Sequence, residues 1–312
     1  IVVLSTCLGT TMIHPAQAIA TLLGQGSADH TLIIWDMRLP RIMASLVGGA
    51  GLGFAGCLTQ ALARNRLATP NMLGINDGAM LAMVIMLLLG SNPMQLPNGW
   101  WLAPLGAIGA ATLLLLAMGG IKSDGQRIIV AGLGLTALLR AINELALSRT
   151  DIQHASALYT WSIGSYAGRD GTIAIPAGIG IGMIMVIALA KARQINLLRF
   201  DQDIAQCLGA DGPRLKTTVI ILAVTAAGLG VAVGGPIAFI AMVSPILADY
   251  LVASAKSVPF LISALIGAIL ICTCDTSARV LAQPQEIPAG VITSILGGLF
   301  LLWILLKQGQ SR

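Results

Sequence analysis

Charge is what this sequence has least of. Of 312 residues only 10% are Asp, Glu, Lys or Arg, while 56% are hydrophobic. A water-soluble domain carries about 25% charged residues, so a fold solvated over its whole surface is excluded. Cysteines are few and odd in number: Cys7, Cys57, Cys207, Cys272 and Cys274 form neither a CxxC pair nor a cluster with His at zinc spacing, and are read as small packing residues. The sequence has no GxxxxGK[ST] loop, no HExxH, no GxSxG elbow and no carboxylate cluster suited to a metal. His14, His30 and His154 fall between the apolar runs and are read as surface residues. Enzyme chemistry therefore finds no support. The net charge is +5, but no basic run carries it, so nucleic acid is not a credible partner.

What is present is apolar length. Apolar runs broken by short polar or Gly/Pro stretches predict helices near 1–11, 41–62, 76–90, 102–119, 128–147, 172–190, 217–234, 238–254, 259–277 and 288–306. The expectation is an all-α polytopic membrane protein of about ten spans, forming one domain over 1–312. Residues 14–24 read as a short surface helix and 157–171 as a partly helical connection. The chain opens at Ile1 without Met, and IVVLSTCLGT reads as the second half of a first helix whose start is lost.

Loop charge orients this map. Twelve of the 18 Lys and Arg residues lie in loops after the even-numbered helices, among them Arg64, Arg66, Lys191, Arg199 and Lys256. The loop SNPMQLPNGWW (91–101) has no charge and two Trp suited to a membrane interface. Lys and Arg mark the cytoplasmic side, so both termini are expected there. One cytoplasmic connection, 191–216, is more than a linker. Leu197, Leu198, Ile204 and Leu208 can form an apolar face while Asp201, Asp203 and Asp211 stay in water, as in short helices lying against a partner or the membrane surface.

Gly51, Gly53 and Gly56 satisfy GxGxxG, with Asp77 about 20 residues on. A dinucleotide site needs a strand before the motif, whereas these glycines sit inside an apolar helical run. Close helix packing through Gly49, Gly53 and Cys57 is preferred, with Gly178/Gly182 and Gly230/Gly234 read in the same way. Arg140 and Glu144 lie i, i+4 inside the fifth span. They form either an internal salt bridge or, with Asn143, a polar patch on a solute path.

Several stretches resemble one family over nearly the whole chain. WDMRLPRIMASLVGGAGLGFAGCLTQALARNRLATPNMLGIN (35–76), GGPIAFIAMVSP (234–245) and CDTSARVLAQPQEIPAG (274–290) are similar to signature segments of the FecCD-type permeases of bacterial ATP-driven importers for iron-siderophores, haem and cobalamin. The resemblance implies the type II ABC importer permease fold. It implies a dimer of identical or homologous permeases enclosing one pathway, two cytoplasmic ATPase subunits, and a periplasmic or lipid-anchored binding protein. ATP and Mg are used by the ATPase partners; no cofactor is expected on this chain.

The resemblance also assigns roles. Arg38, Arg41 and Arg279 become binding-protein docking residues, with pairing to Asp36 or Asp275 as the alternative. Asp203, Ala205, Leu208 and Gly209 match a segment that couples to the ATPase. Asn65 and Leu73 join Arg140, Asn143 and Glu144 as pathway candidates. Two departures stand out: Arg66 replaces a Pro, and Pro245-Ile246-Leu247-Ala248-Asp249 lacks the family's His and Arg. The function implied is the inner-membrane permease of an importer, with a ferric siderophore as cargo and haem or cobalamin as alternatives. An ion-coupled secondary transporter using Arg140 and Glu144 as a charge relay is the reading from another class.

Overall fold

Helix dominates because the backbone of an apolar span must satisfy its own hydrogen bonds. The computed structural model describes residues 1–9, 11–90, 99–118, 125–200, 204, 207–208, 212–251, 259–281 and 286–309, and no strand occurs among them. The helices are α1 (Val2–Cys7), α2 (Pro15–Leu22), α3 (Ala28–Thr31), α4 (Leu39–Ala63), α5 (Ile75–Leu88), α6 (Leu102–Ala117), α7 (Gly125–Leu147), α8 (Ile152–Ile163), α9 (Gly171–Ala190), α10 (Ala192–Leu197), α11 (Gly212–Gly234), α12 (Ile240–Leu251), α13 (Pro259–Leu281) and α14 (Ala289–Gly309). All ten expected segments overlap a helix, and the expected surface helix is α2.

Six helical stretches among the described residues are long and apolar enough to cross a membrane: Ala28–Ala63, Gly99–Ala117, Val130–Leu147, Gly171–Ala190, Arg214–Gly234 and Pro259–Leu281. Ile75–Leu88, Ile240–Leu251 and Ala289–Ile304 are shorter apolar helices, and the segment expected over 1–11 contains only the six-residue α1. The second span also differs from expectation, since helix continues upstream of Pro40. A π-helical turn, Leu32–Arg38, joins α3 to α4, and the Leu39 N–H donates to the Ile34 carbonyl. The wider turn accommodates a residue that has no N–H and whose ring would crowd the preceding turn.

α4 is the centre of the bundle, buried along nearly its whole length. Its glycines face different neighbours. A Cβ on Gly49 would strike the Gly267 carbonyl of α13, and a Cβ on Gly267 would strike the Gly49 carbonyl in return. Gly53 abuts the Ser263 carbonyl, and the Ser263 Oγ donates to the Gly53 carbonyl at 2.6 Å. Gly51 turns to Ala226 and Gly230 of α11, and Gly56 to Ala241 of α12. The GxGxxG pattern is thus a device for packing three helices around one. Phe54 and Phe260 meet edge to face at 5.7 Å beside the α4–α13 contact.

Two of the other glycine readings need qualification. Gly230 approaches the Gly48 carbonyl, but Gly234 and Gly48 together make room for the fully buried Tyr166. Gly178 lies near Val47, whereas a Cβ on Gly182 would meet open space among the described residues, so Gly182 packs against no helix described in this chain. The four-residue spacing is shared by packed and open faces of α9 and does not tell them apart.

Gly53→Val should destabilise the bundle by about 2 kcal/mol or more through collision with α13, while Gly182→Ala should be neutral or stabilise by up to about 1 kcal/mol. Thermal unfolding of the detergent-solubilised protein checks both; equal melting temperatures for the two variants would contradict this packing.

Candidate functional site

Among the described residues, three polar clusters interrupt the apolar bundle. The first lies where α4 begins and α13 ends. Helix pairing at Gly49–Gly267 and Gly53–Ser263 is antiparallel, and the same register brings Arg41 opposite Asp275. The Arg41 Nε donates to Asp275 Oδ2 at 2.9 Å and Nη2 donates to Oδ1 at 2.9 Å, a two-pronged fork. Nη1 donates to Glu286 Oε2 at 2.7 Å. Arg279, one turn beyond Asp275, reaches its Oδ2 at 3.7 Å and donates from Nη2 to Ser5 Oγ at 2.7 Å. Arg38 donates from Nη1 to the Thr6 carbonyl at 2.6 Å and from Nη2 to the Thr11 carbonyl.

These three arginines are therefore not open rim charges. Arg38, Arg41 and Arg279 are 5%, 7% and 5% exposed. Pairing with Asp275, the alternative weighed above, is what holds Arg41 and Arg279; Arg38 uses backbone carbonyls instead. A helix-end Arg is pulled inward here because an apolar bundle offers it carboxylate and carbonyl oxygens that water would otherwise replace.

The second cluster lies within the spans. The Arg140 Nε donates to Asp77 Oδ1 at 3.4 Å, and Asn143 Nδ2 donates to the Asp77 carbonyl at 2.9 Å. Arg140 thus turns from α7 toward α5, and its ion pair is with Asp77 rather than with Glu144, the partner in one of the two readings above. Asp77 Oδ2, Asn143 Oδ1 and Asn71 Oδ1 are buried without a hydrogen-bond partner among the described residues. The Arg140 side chain is 62% exposed, and Glu144 is exposed as well. Asn143 and Leu73 are buried, at 4% and 2% exposure, so they support the patch without lining an open surface.

The third cluster closes the other end of α4. Gln60, Arg64, Asn65, Arg66, Arg199 and Asp249 line a cavity of about 280 Å³. Asn65 is exposed there, its Oδ1 accepting from the Leu67 N–H at 2.9 Å. The Arg199 Nη1 donates to Asp249 Oδ1 at 3.1 Å, and Nη2 lies 3.6 Å from Cys57 Sγ. Burial disfavours the Arg199 charge, but Cys57 and Asp249 outweigh it and raise its pKa. Both departures from the family pattern, Arg66 and Asp249, line this one cavity. In the α8–α9 connection, burial drives the Tyr166 phenol above its usual range, with the Asp275 charge adding to the effect.

Asp203, Ala205 and Gly209 of the expected coupling segment lie outside the described residues. Its apolar face divides in two. Leu198 is buried and Leu197 packs against the main core, whereas Ile204 and Leu208 are 50% and 58% exposed. Sequence reasoning passed over Asp77 as a partner, although a carboxylate in the apolar run 76–90 was the available signal, and it passed over Glu286 as well.

Apolar helices long enough to span a bilayer, packed around buried ion pairs, mark a multi-pass membrane protein. The chain belongs to the FecCD transport family, whose family model matches residues 1–307. It is 30% identical over 305 residues to the ferric enterobactin transport system permease protein FepG of Escherichia coli K12, covering 97% of this chain and 91% of that one. It is 35% identical over 292 residues to the Fe(3+) dicitrate transport system permease protein FecD of the same organism, covering 91% and 88%. A solved structure described as "an inward-facing conformation of a putative metal-chelate type ABC transporter" superposes with a TM-score of 0.83 at 25% identity, covering 98% of this chain and 94% of that one.

Breaking a buried ion pair on one side leaves its partner unpaired in an apolar setting, at a cost of about 3–5 kcal/mol. Arg41→Gln should lower thermal stability accordingly, and Arg41→Gln combined with Asp275→Asn should recover part of the loss. Melting of the three proteins in one detergent tests this; a single variant as stable as the parent would refute the buried pairing.

Proposed function

We propose that this chain is the permease subunit of an ATP-binding-cassette importer that carries a ferric siderophore across the bacterial cytoplasmic membrane. The family match along residues 1–307 carries the reading. Relatives named for ferric enterobactin and ferric dicitrate transport support an iron chelate as cargo. The chain works beside a second identical or homologous permease, two ATPase subunits that use ATP and Mg, and a substrate-binding protein. Both termini face the cytoplasm, which puts the Arg41 cluster outside and the Arg199 cavity inside.

In this reading the chain makes and breaks no covalent bond. The permease exchanges between states open to either side, and ATP turnover in the partners changes their relative stability. Arg140, exposed within a span, attracts an anionic iron complex, and Glu144 limits how tightly it is held. An Arg in that position is costly unless it faces water or protein, which favours a pathway over a lipid-facing surface. The exposed Ile204 and Leu208 offer an apolar contact to the ATPase, while Leu197 and Leu198 tie the same connection to the bundle. Of the outer arginines, Arg41, whose partner Glu286 is part-exposed, receives an acidic residue of the binding protein.

Coupling is the most accessible part to test. Asp203→Lys, Gly209→Val or Leu208→Glu should cut uptake of a radiolabelled ferric siderophore at least about tenfold, with the permease still folded and inserted. Uptake at the parental rate, with the ATPase subunits normally assembled, would eliminate the coupling role. For the pathway, Arg140→Gln with Glu144→Gln should lower transport per folded molecule. If only stability falls, the pair is structural.

A further inference from the structure

Glu286 is the most exposed acidic group of the Arg41 cluster among the described residues. Its side chain is 39% exposed, against 9% for Arg41 and 1% for Asp275. The guanidinium is divided between the two carboxylates. Nε and Nη2 are held by the inner one, Asp275, in the fork described above, and Nη1 by the outer one, Glu286, at 2.7 Å. Arg38 and Arg279 direct N–H groups to backbone and hydroxyl oxygens of Thr6, Thr11 and Ser5, and Arg279 also reaches the same Asp275. Three of the five Arg41 N–H groups are thereby engaged, and Glu286, the more exposed of the two carboxylates, is the partner that a carboxylate arriving from solution meets at Nη1.

We propose that Glu286 is a built-in competitor for docking: its carboxylate holds on Arg41 Nη1 the place that an acidic side chain of the binding protein takes, so that docking is an exchange of one carboxylate for another. The proposal rests on the docking reading above. Physical reasons favour exchange over simple addition. Nη1 without a partner would leave part of a buried charge unpaired, which is costly, and Glu286 supplies a partner at rest. Two carboxylates on the one Nη1 would repel each other, which exchange avoids. The displaced Glu286 is already part-exposed, so its release to water needs little rearrangement. A resident competitor also weakens docking relative to an open arginine, which helps the binding protein to leave after each delivery.

The test uses the complete permease–ATPase complex in lipid nanodiscs and its cognate binding protein. Glu286→Gln keeps an oxygen for Nη1 but removes the competing charge, and Glu286→Ala removes the competitor altogether. Both should bind the protein about tenfold more tightly than the parent at low salt, the gain shrinking as salt rises. Neutralising the surface carboxylates of the binding protein one at a time should find one whose loss both weakens docking and abolishes the gain from Glu286→Gln. If a carboxylate is found but neither Glu286 variant binds more tightly, docking stands and exchange is overturned. If no carboxylate matters, the docking reading fails and the exchange falls with it.

Discussion

The closeness with which α4 and α13 approach each other decides most of what this bundle can do. Backbone carbonyls stand where side chains would otherwise be, because Gly49, Gly53 and Gly267 have none. In a lipid setting apolar side chains gain little by leaving the bilayer, so close backbone contact and interhelical hydrogen bonds carry association. The same antiparallel register carries Arg41 to Asp275 one end further along. Packing at the middle of the pair thus fixes the electrostatics at its end.

The polar clusters follow one rule, that charge inside the bundle is paired with opposite charge or with hydroxyl and carbonyl oxygens. At the Arg41 end the rule is met with a two-pronged Arg–Asp fork and hydroxyl and carbonyl acceptors from α1 and the turn after it. At the other end Arg199 ties the α10 side of the long connection to α12 through Asp249 and lies against Cys57 of α4. The cluster between α5 and α7 is matched less completely. Arg140 is 62% exposed, and Asp77 Oδ2 and Asn143 Oδ1 have no hydrogen-bond partner among the described residues. Incomplete satisfaction inside a span is costly without water, and the proposed solute path would supply that water.

Much of this was legible in the sequence, for reasons that can be named. Apolar run length fixed the helices, because a span is a local property of about 20 residues. The motif segments around Arg38–Arg41, Gly234–Pro245 and Asp275–Arg279 identified the family. Partners of charged groups were less legible. Arg140 has Glu144 one turn away, yet turns to Asp77, 63 positions earlier, because helix neighbours in space need not be neighbours in sequence. The burial of Arg38, Arg41 and Arg279 escaped for the same reason: Asp275, Glu286, Thr6 and Thr11 come from separate elements. Gly182 shows the converse, since a spacing shared with packed glycines carries no record of whether a neighbour is present.

The central claim is that this chain moves its cargo with energy supplied by ATP turnover in partner subunits. Uptake of a radiolabelled ferric siderophore into proteoliposomes holding the full permease–ATPase complex tests it directly. The account predicts uptake only when the binding protein and hydrolysable ATP are both supplied, with proton and sodium gradients having no effect. Uptake by the permease alone, driven by an ion gradient, would contradict it and assign Arg140 and Glu144 to ion coupling.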